Sequence, residues 1–279
     1  MRFAKYHALG NDYLVLEESE SPALTAALVR RICDRHFGFG ADGILLRVRA
    51  GERDSHRLRI FNPDGSEAEK SGNGLRIFAR YLWDRALVGE DPFAVSTLGG
   101  EVACTVRGDG RSVTVDMGRA SFDSAEIPVA GPRREALRES LVAGGQPLEF
   151  SAATIGNPHC VILREHVSAD EARALGPLVE SDARFPNRTN VQFLQILDRR
   201  NLRIEIWERG AGYTLASGSS SCAAAAVARR LGLCDPVVSV HMPGGTLAIE
   251  IDASFTLRMT GPVVRIGEGE LSAECLEGA

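Results

Sequence analysis

The sequence predicts an α+β protein of two pseudo-symmetric halves with a small-molecule site in the cleft between them. Three observations carry this reading: an internal repeat of constant offset, short strand-type runs spread through both halves, and two equivalent helix starts. Two-domain chains commonly place a ligand between their halves, where equivalent elements face it.

The repeat is the organising feature. Gly10-Asn11 and Gly156-Asn157 each precede an apolar run, Leu14–Leu16 and Val161–Leu163, and lie 157 − 11 = 146 residues apart. Ile60-Phe61 with Ile206-Trp207, Ser71-Gly72 with Ser217-Gly218, and Phe39 with Phe185 keep the same spacing. Val95-Ser96 and Gly99-Gly100 resemble Val238-Ser239 and Gly244-Gly245, with a drift of a few residues. Two copies of a half-length unit indicate a duplicated domain; a solenoid needs more. The halves are expected to be 1–118, joined by the C-terminal tail 263–279, and 119–262.

Within each half, β-branched or alternating runs predict strands at Leu58–Phe61, Val113–Met117, Arg203–Trp207 and Leu247–Ile251. Helices are predicted over Leu24–His36, Leu75–Asp84 and Cys222–Leu231. The Pro-, Arg- and Glu-rich stretch Ser124–Gly145 is expected to include the connection between halves.

Ser71-Gly72-Asn73-Gly74 and Ser217-Gly218-Ser219-Ser220-Ser221 each open one of the equivalent helices. Small residues let a ligand approach the backbone, and the free N–H groups of a helix start favour an anion such as a carboxylate. Serine is equally a preferred N-cap, so each has a purely structural alternative. Asn11, Asn62 and Asn157 sit beside Gly or Pro, where turn chemistry explains asparagine without any ligand. Glu208-Arg209 reads equally as a surface pair.

The net charge of −5 argues against a nucleic-acid partner, which calls for a basic stripe. No apolar run approaches the ~20 residues of a membrane span. The N-terminus reads as a strand with no secretory apolar region, so a cytoplasmic location is expected. Cys33, Cys104, Cys160, Cys222, Cys234 and Cys275 are scattered without metal-ligand spacing, which predicts buried free thiols and no metal site.

Several motifs together resemble the diaminopimelate epimerase family. They are His7–Asp12, Gly40-Ala41-Asp42-Gly43, Ile60–Glu67, Gly156–Cys160, Asn187–Asn190, Glu208–Gly212 and Met242–Gly245, in order along nearly the whole chain. The resemblance implies two domains, each wrapping a central helix in sheet, and cofactor-free epimerisation at an amino-acid α-carbon, LL- to meso-diaminopimelate, in lysine and cell-wall precursor synthesis. It implies two proton-transfer groups on opposite faces of that carbon. The family's thiols fall at Ser71 and Ser217 here, and a hydroxyl needs an adjacent base to do what a thiolate does. Glu208 and His159 match residues that assist the thiols. Asn62, Asn157, Asn190 and Arg209 match residues that grip the distal end of the substrate. Asn11, Gly72, Asn73, Gly74, Gly218 and Ser219 match those lining the reacting amino acid. Tyr213 replaces a usual glutamate and is expected to reshape the pocket, and Ser220-Ser221 replace Gly-Ala. A homodimer is also implied. Two other readings stay open: a same-fold isomerase or lyase on another substrate, and an amino-acid-binding protein without chemistry.

Overall fold

The computed structural model describes residues 1–48 and 56–277. They form two compact units, Met1–Asp116 with Thr260–Ala279, and Met117–Met259.

The first unit contains β1 (Arg2–Ala8), β2 (Asn11–Glu17), α1 (Ala26–Cys33), β3 (Ile44–Val48), β4 (Arg57–Phe61), β5 (Glu67–Ala68), α2 (Gly72–Asp84), β6 (Phe93–Thr97), β7 (Gly100–Arg107) and β8 (Ser112–Arg119). The second begins along β8 and holds β9 (Glu139–Ala143), β10 (Gln146–Thr154), β11 (Pro158–Leu163), α3 (Ala169–Glu180), β12 (Asn190–Asp198), β13 (Asn201–Glu208), β14 (Gly212–Thr214), α4 (Gly218–Arg230), β15 (Val237–Met242), β16 (Gly245–Ile251) and β17 (Thr256–Pro262). The chain then returns to the first unit with β18 (Val264–Glu270) and α5 (Ala273–Glu277).

The strands of the two units repeat one pairing scheme. In the first, β1–β2 is antiparallel, β2–β3 parallel, β3–β4 antiparallel, β4–β6 parallel and β6–β7 antiparallel. In the second, β10–β11, β11–β12, β12–β13, β13–β15 and β15–β16 run through the same alternation. β5 extends β4 as β14 extends β13. In the first unit β18 closes on β1, pairing Phe3 with Gly269.

In each unit the strands wrap one helix. In α2 a continuous run from Asn73 to Ala79 is buried, and in α4 everything from Ser220 to Ala228 is. Burial on all sides marks a core helix, whereas an amphipathic one buries a single stripe. The alanines of α4 allow sheet residues to approach from every side.

The helices begin earlier than their apolar periodicity suggests. That signal starts at Leu75 and Cys222, but Ser71 and Ser217 cap the backbone and carry helix through the glycines and serines in between. α1 is shorter than Leu24–His36: Asp34 turns extended and its carboxylate accepts the His36 and Phe37 N–H groups at 2.7 Å, ending the helix. Residues 124–145 are not a connection between halves. They belong wholly to the second unit, where Ile127, Val129, Ala136 and Leu141 join its core and Ser124 accepts the Arg134 N–H. No helix among the described residues is long and apolar enough to cross a membrane.

Candidate functional site

The second unit supplies one cluster of the expected residues, and strand alternation explains which of them meet. Successive side chains along a strand point to opposite faces. Phe150, Cys160, Ile162, Val191 and Phe193 pack with Ala172, Leu175 and Val179 of α3. His159, Gln192 and Glu208 take the other face, the one covered by the start of α4. There Gln192 Nε2 lies 3.0 Å from Ser220 Oγ, and Glu208 is hydrogen-bonded to Ser217. Burial pushes the Glu208 carboxyl above its ordinary range, opposed by the hydroxyl of Ser217. Ser217 Oγ also lies 3.4 Å from Ser219 Oγ and accepts the Ser220 N–H at 3.4 Å.

His159 is fully buried, and its Nε2 pairs with Asn157 Oδ1 at 2.9 Å. Burial drives the ring down to about 3, so it is neutral near pH 7. Within this unit Glu208 is the partner of Ser217, and the imidazole is an uncharged neighbour of Asn157.

Tyr213 faces the other way. It pairs across β13–β14 with Trp207, on the α3 face and away from Glu208. Its hydroxyl donates to Glu205 Oε2 at 2.6 Å and Arg173 lies 4.0 Å over its ring. Burial and the Glu205 carboxylate raise the phenol to about 12. Tyr213 therefore neither lines the Ser217 cluster nor offers a proton there.

Asn190 is used as a structural bridge. Its Nδ2 donates to the Pro158 carbonyl at 3.0 Å and its Oδ1 accepts the Arg209 N–H at 3.0 Å, tying the start of β11 to the end of β13. The Arg209 side chain is exposed, with Nη1 on the Asn187 carbonyl at 3.0 Å, and carries the cation of this edge.

A residue without sequence signal organises both loops. Glu180, at the end of α3, is 5% exposed. It accepts Trp207 Nε1 at 2.7 Å and the Gly210 N–H at 2.9 Å, and pairs with Arg188. Its carbonyl accepts the Thr189 N–H. The segments bearing Asn190, Glu208 and Arg209 are thus anchored on one carboxylate. α3 comes close enough because residue 176 is glycine: a Cβ there would lie 2.5 Å from Trp207 Cβ.

In the first unit, Ser71 Oγ accepts the Gly74 N–H at 3.0 Å and lies 3.5 Å from the Tyr13 hydroxyl. A Cβ at Gly74 would meet Ser71 Oγ at 3.2 Å, so glycine keeps this cap open. Asn73 and Asn11 are linked, Nδ2 to Oδ1, at 3.0 Å, and Asn11 Nδ2 donates to Asp42 at 3.0 Å. The fully buried Arg76 donates to Asn73 Oδ1 at 2.5 Å and to the Pro262 carbonyl at 3.3 Å. Arg35 bridges Asp12 and Asp42 at 2.7 Å each. Asn11 and Asn73 are therefore held at the start of α2 by their own amides. Asn62 sits in a turn, with Nδ2 on Ser66 Oγ at 3.0 Å. Gly72 and Gly218 begin their helices, directly after the serines.

Among the described residues no group of His, Cys, Asp and Glu is placed to hold a metal ion. Cys160 and Cys222 are buried in the second unit, and burial pushes the Cys160 thiol far up. Neither stands in for a missing thiolate.

Solved amino-acid racemases and epimerases share this fold. A probable proline racemase from Agrobacterium radiobacter K84 matches 98% of this chain and 93% of its own at TM-score 0.73 and 15% identity. A hydroxyproline epimerase from Agrobacterium vitis matches 97% and 90% at TM-score 0.70 and 17% identity. The sequence comparisons are closer. The diaminopimelate epimerase family model matches residues 3–122 and 151–266. A relative from Nostoc sp. strain PCC 7120, diaminopimelate epimerase 2, is 55% identical over 275 residues, covering 98% of this chain and 96% of that one. A diaminopimelate epimerase from Stutzerimonas stutzeri is 43% identical, covering 97% and 99%. The chain belongs to the diaminopimelate epimerase family, a family of isomerases.

Proposed function

We propose that this chain is a cofactor-independent epimerase of a diaminopimelate-type amino acid, with Ser217 and Ser71 as its proton-transfer groups and Glu208 as the base behind Ser217. The observation that carries the reading is the hydrogen bond between Ser217 and a Glu208 carboxyl raised by burial. A carboxylate of raised pKa takes up a proton more readily, which is what an otherwise weak hydroxyl base requires. In the forward step the substrate Cα–H proton passes to Ser217 Oγ while the hydroxyl proton moves to Glu208. The carbanion takes a proton from the Ser71 hydroxyl on its other face; water then removes the proton held by Glu208 and returns one to the Ser71 alkoxide, which restores the starting state. Asn157 and the exposed Arg209 are assigned to the distal end of the substrate. Asn11, Asn73, the amides at Gly72–Gly74 and those at Gly218–Ser219 are assigned to its reacting end.

The same reading places the protein in lysine and cell-wall precursor synthesis. None of its six cysteines is in a disulfide, which supports a reducing cytoplasm, and the family resemblance implies a homodimer. The test is incubation with LL-diaminopimelate in deuterium oxide, with the α-proton followed by NMR. Exchange that disappears in Ser217→Ala and Glu208→Gln is expected. Saturable binding without exchange would reduce the protein to an amino-acid binder. Neither binding nor exchange would move the substrate to a different amino acid or acid.

A further inference from the structure

Ser220, where the family resemblance implies glycine, is fully buried and touches Gln192. Gln192 is itself fully buried, on the strand beside His159. With the Gln192 amide nitrogen on Ser220, it is Gln192 Oε1 that faces His159 Nδ1, and neither atom makes a well-formed hydrogen bond. Two lone adjacent polar atoms in a dry core are costly, and natural structures rarely keep them. The oxygen and nitrogen of a carboxamide exchange places on a half-turn, so one rotation decides whether both are satisfied.

We infer that Ser220 and Gln192 are positioning residues that fix the tautomer of His159 and, through it, the orientation of Asn157. Ser220 Oγ–H donates to Gln192 Oε1, and the Gln192 amide N–H donates to His159 Nδ1. His159 Nε2–H then donates to Asn157 Oδ1, the 2.9 Å contact already described. This arrangement gives both Gln192 Oε1 and His159 Nδ1 a partner. The reverse sense, with Nδ1 protonated, would leave Nε2 facing Asn157 as an acceptor and require the Asn157 amide to turn over. With Oδ1 occupied by the imidazole, the Asn157 carboxamide offers only its two N–H hydrogens outward. That makes Asn157 a donor for a carboxylate or another acceptor, and excludes an ammonium group at the same point. The burial that keeps His159 neutral agrees with an uncharged relay of this kind.

The substrate consequence rests on the proposed function, whereas the tautomer does not, and the two are read separately. Long-range 1H–15N correlation of the imidazoles in the ligand-free protein is expected to show His159 as the neutral Nε2–H tautomer from pH 5 to 8. In Ser220→Ala that resonance should shift or split as Gln192 loses its anchor, and Ser220→Thr should restore it. An Nδ1–H tautomer in the natural protein, or an unaltered His159 spectrum in Ser220→Ala, overturns the inference. If Gln192→Leu does not fold, the Ser220 pair still decides. In the same samples, calorimetric titration of LL-diaminopimelate should show affinity lost several-fold in Ser220→Ala and regained in Ser220→Thr. Unchanged affinity in Ser220→Ala would overturn the orienting role of the row. A natural protein that binds no diaminopimelate would sink the substrate reading while the NMR comparison still settles the tautomer.

Discussion

Replacing Glu180 with alanine should destabilise the second unit by about 2–4 kcal/mol, and the figure follows from what the carboxylate holds. Trp207 Nε1 is half-buried, and a buried donor left without its acceptor costs about 1–3 kcal/mol. The Gly210 N–H is on an exposed residue and can return to water, so its loss lies near about 0.5–1 kcal/mol. The Arg188 guanidinium is 54% exposed, and screening limits that pair to about 0–1 kcal/mol. Urea unfolding in a Trp83→Phe background makes Trp207 the reporter, so the second unit is followed by itself. A shift below about 1 kcal/mol would refute the view that Glu180 anchors the two loops. The same variant should raise KM, because Arg209 and Asn190 stand on the released segments.

Three further outcomes are expected. Gly176→Ala should lose about 1–3 kcal/mol, because its methyl would meet Trp207 Cβ at 2.5 Å; a neutral effect on the urea midpoint would show that α3 shifts freely. Burial holds His159 near 3, below its ordinary 6.5, so the unfolded chain binds a proton that the folded one refuses. Stability should therefore fall as pH drops from 6.5 towards 3, and His159→Asn should flatten that slope in urea midpoints across the window. Five cysteines are buried and Cys275 is partly accessible, so a native thiol titration should modify one cysteine rapidly and all six only in denaturant.

The duplication was legible because it fixes spacing. α2 and α4 start at Gly72 and Gly218, at the same 218 − 72 = 146 offset as the motifs, each with a serine cap in the same extended conformation. The motifs named Ser217 and Glu208 without pairing them; the pairing comes from strand facing. What the sequence did not disclose depends on strand facing and burial. Tyr213 follows Gly212 in the chain, but the pleat turns it to α3, and only the register with Trp207 shows this. Glu180 and Arg76 belong to residue types that are usually solvated, so nothing in their neighbours marks them as buried. Gln192 reads as one polar residue in an apolar strand, and its role depends on Ser220, 28 positions away. The proline- and arginine-rich stretch looked like a linker because composition reports flexibility, whereas its scattered Ile127, Val129 and Leu141 go into the core.

The return of the chain to its first unit has a consequence for synthesis on the ribosome. Met117–Met259 is continuous and can close as soon as it emerges, whereas β1 waits for β18, its partner some 260 residues later. Until then the first strand made has one edge open, and unpaired strand edges are where nascent chains associate wrongly. The half translated first should thus be the half that folds last.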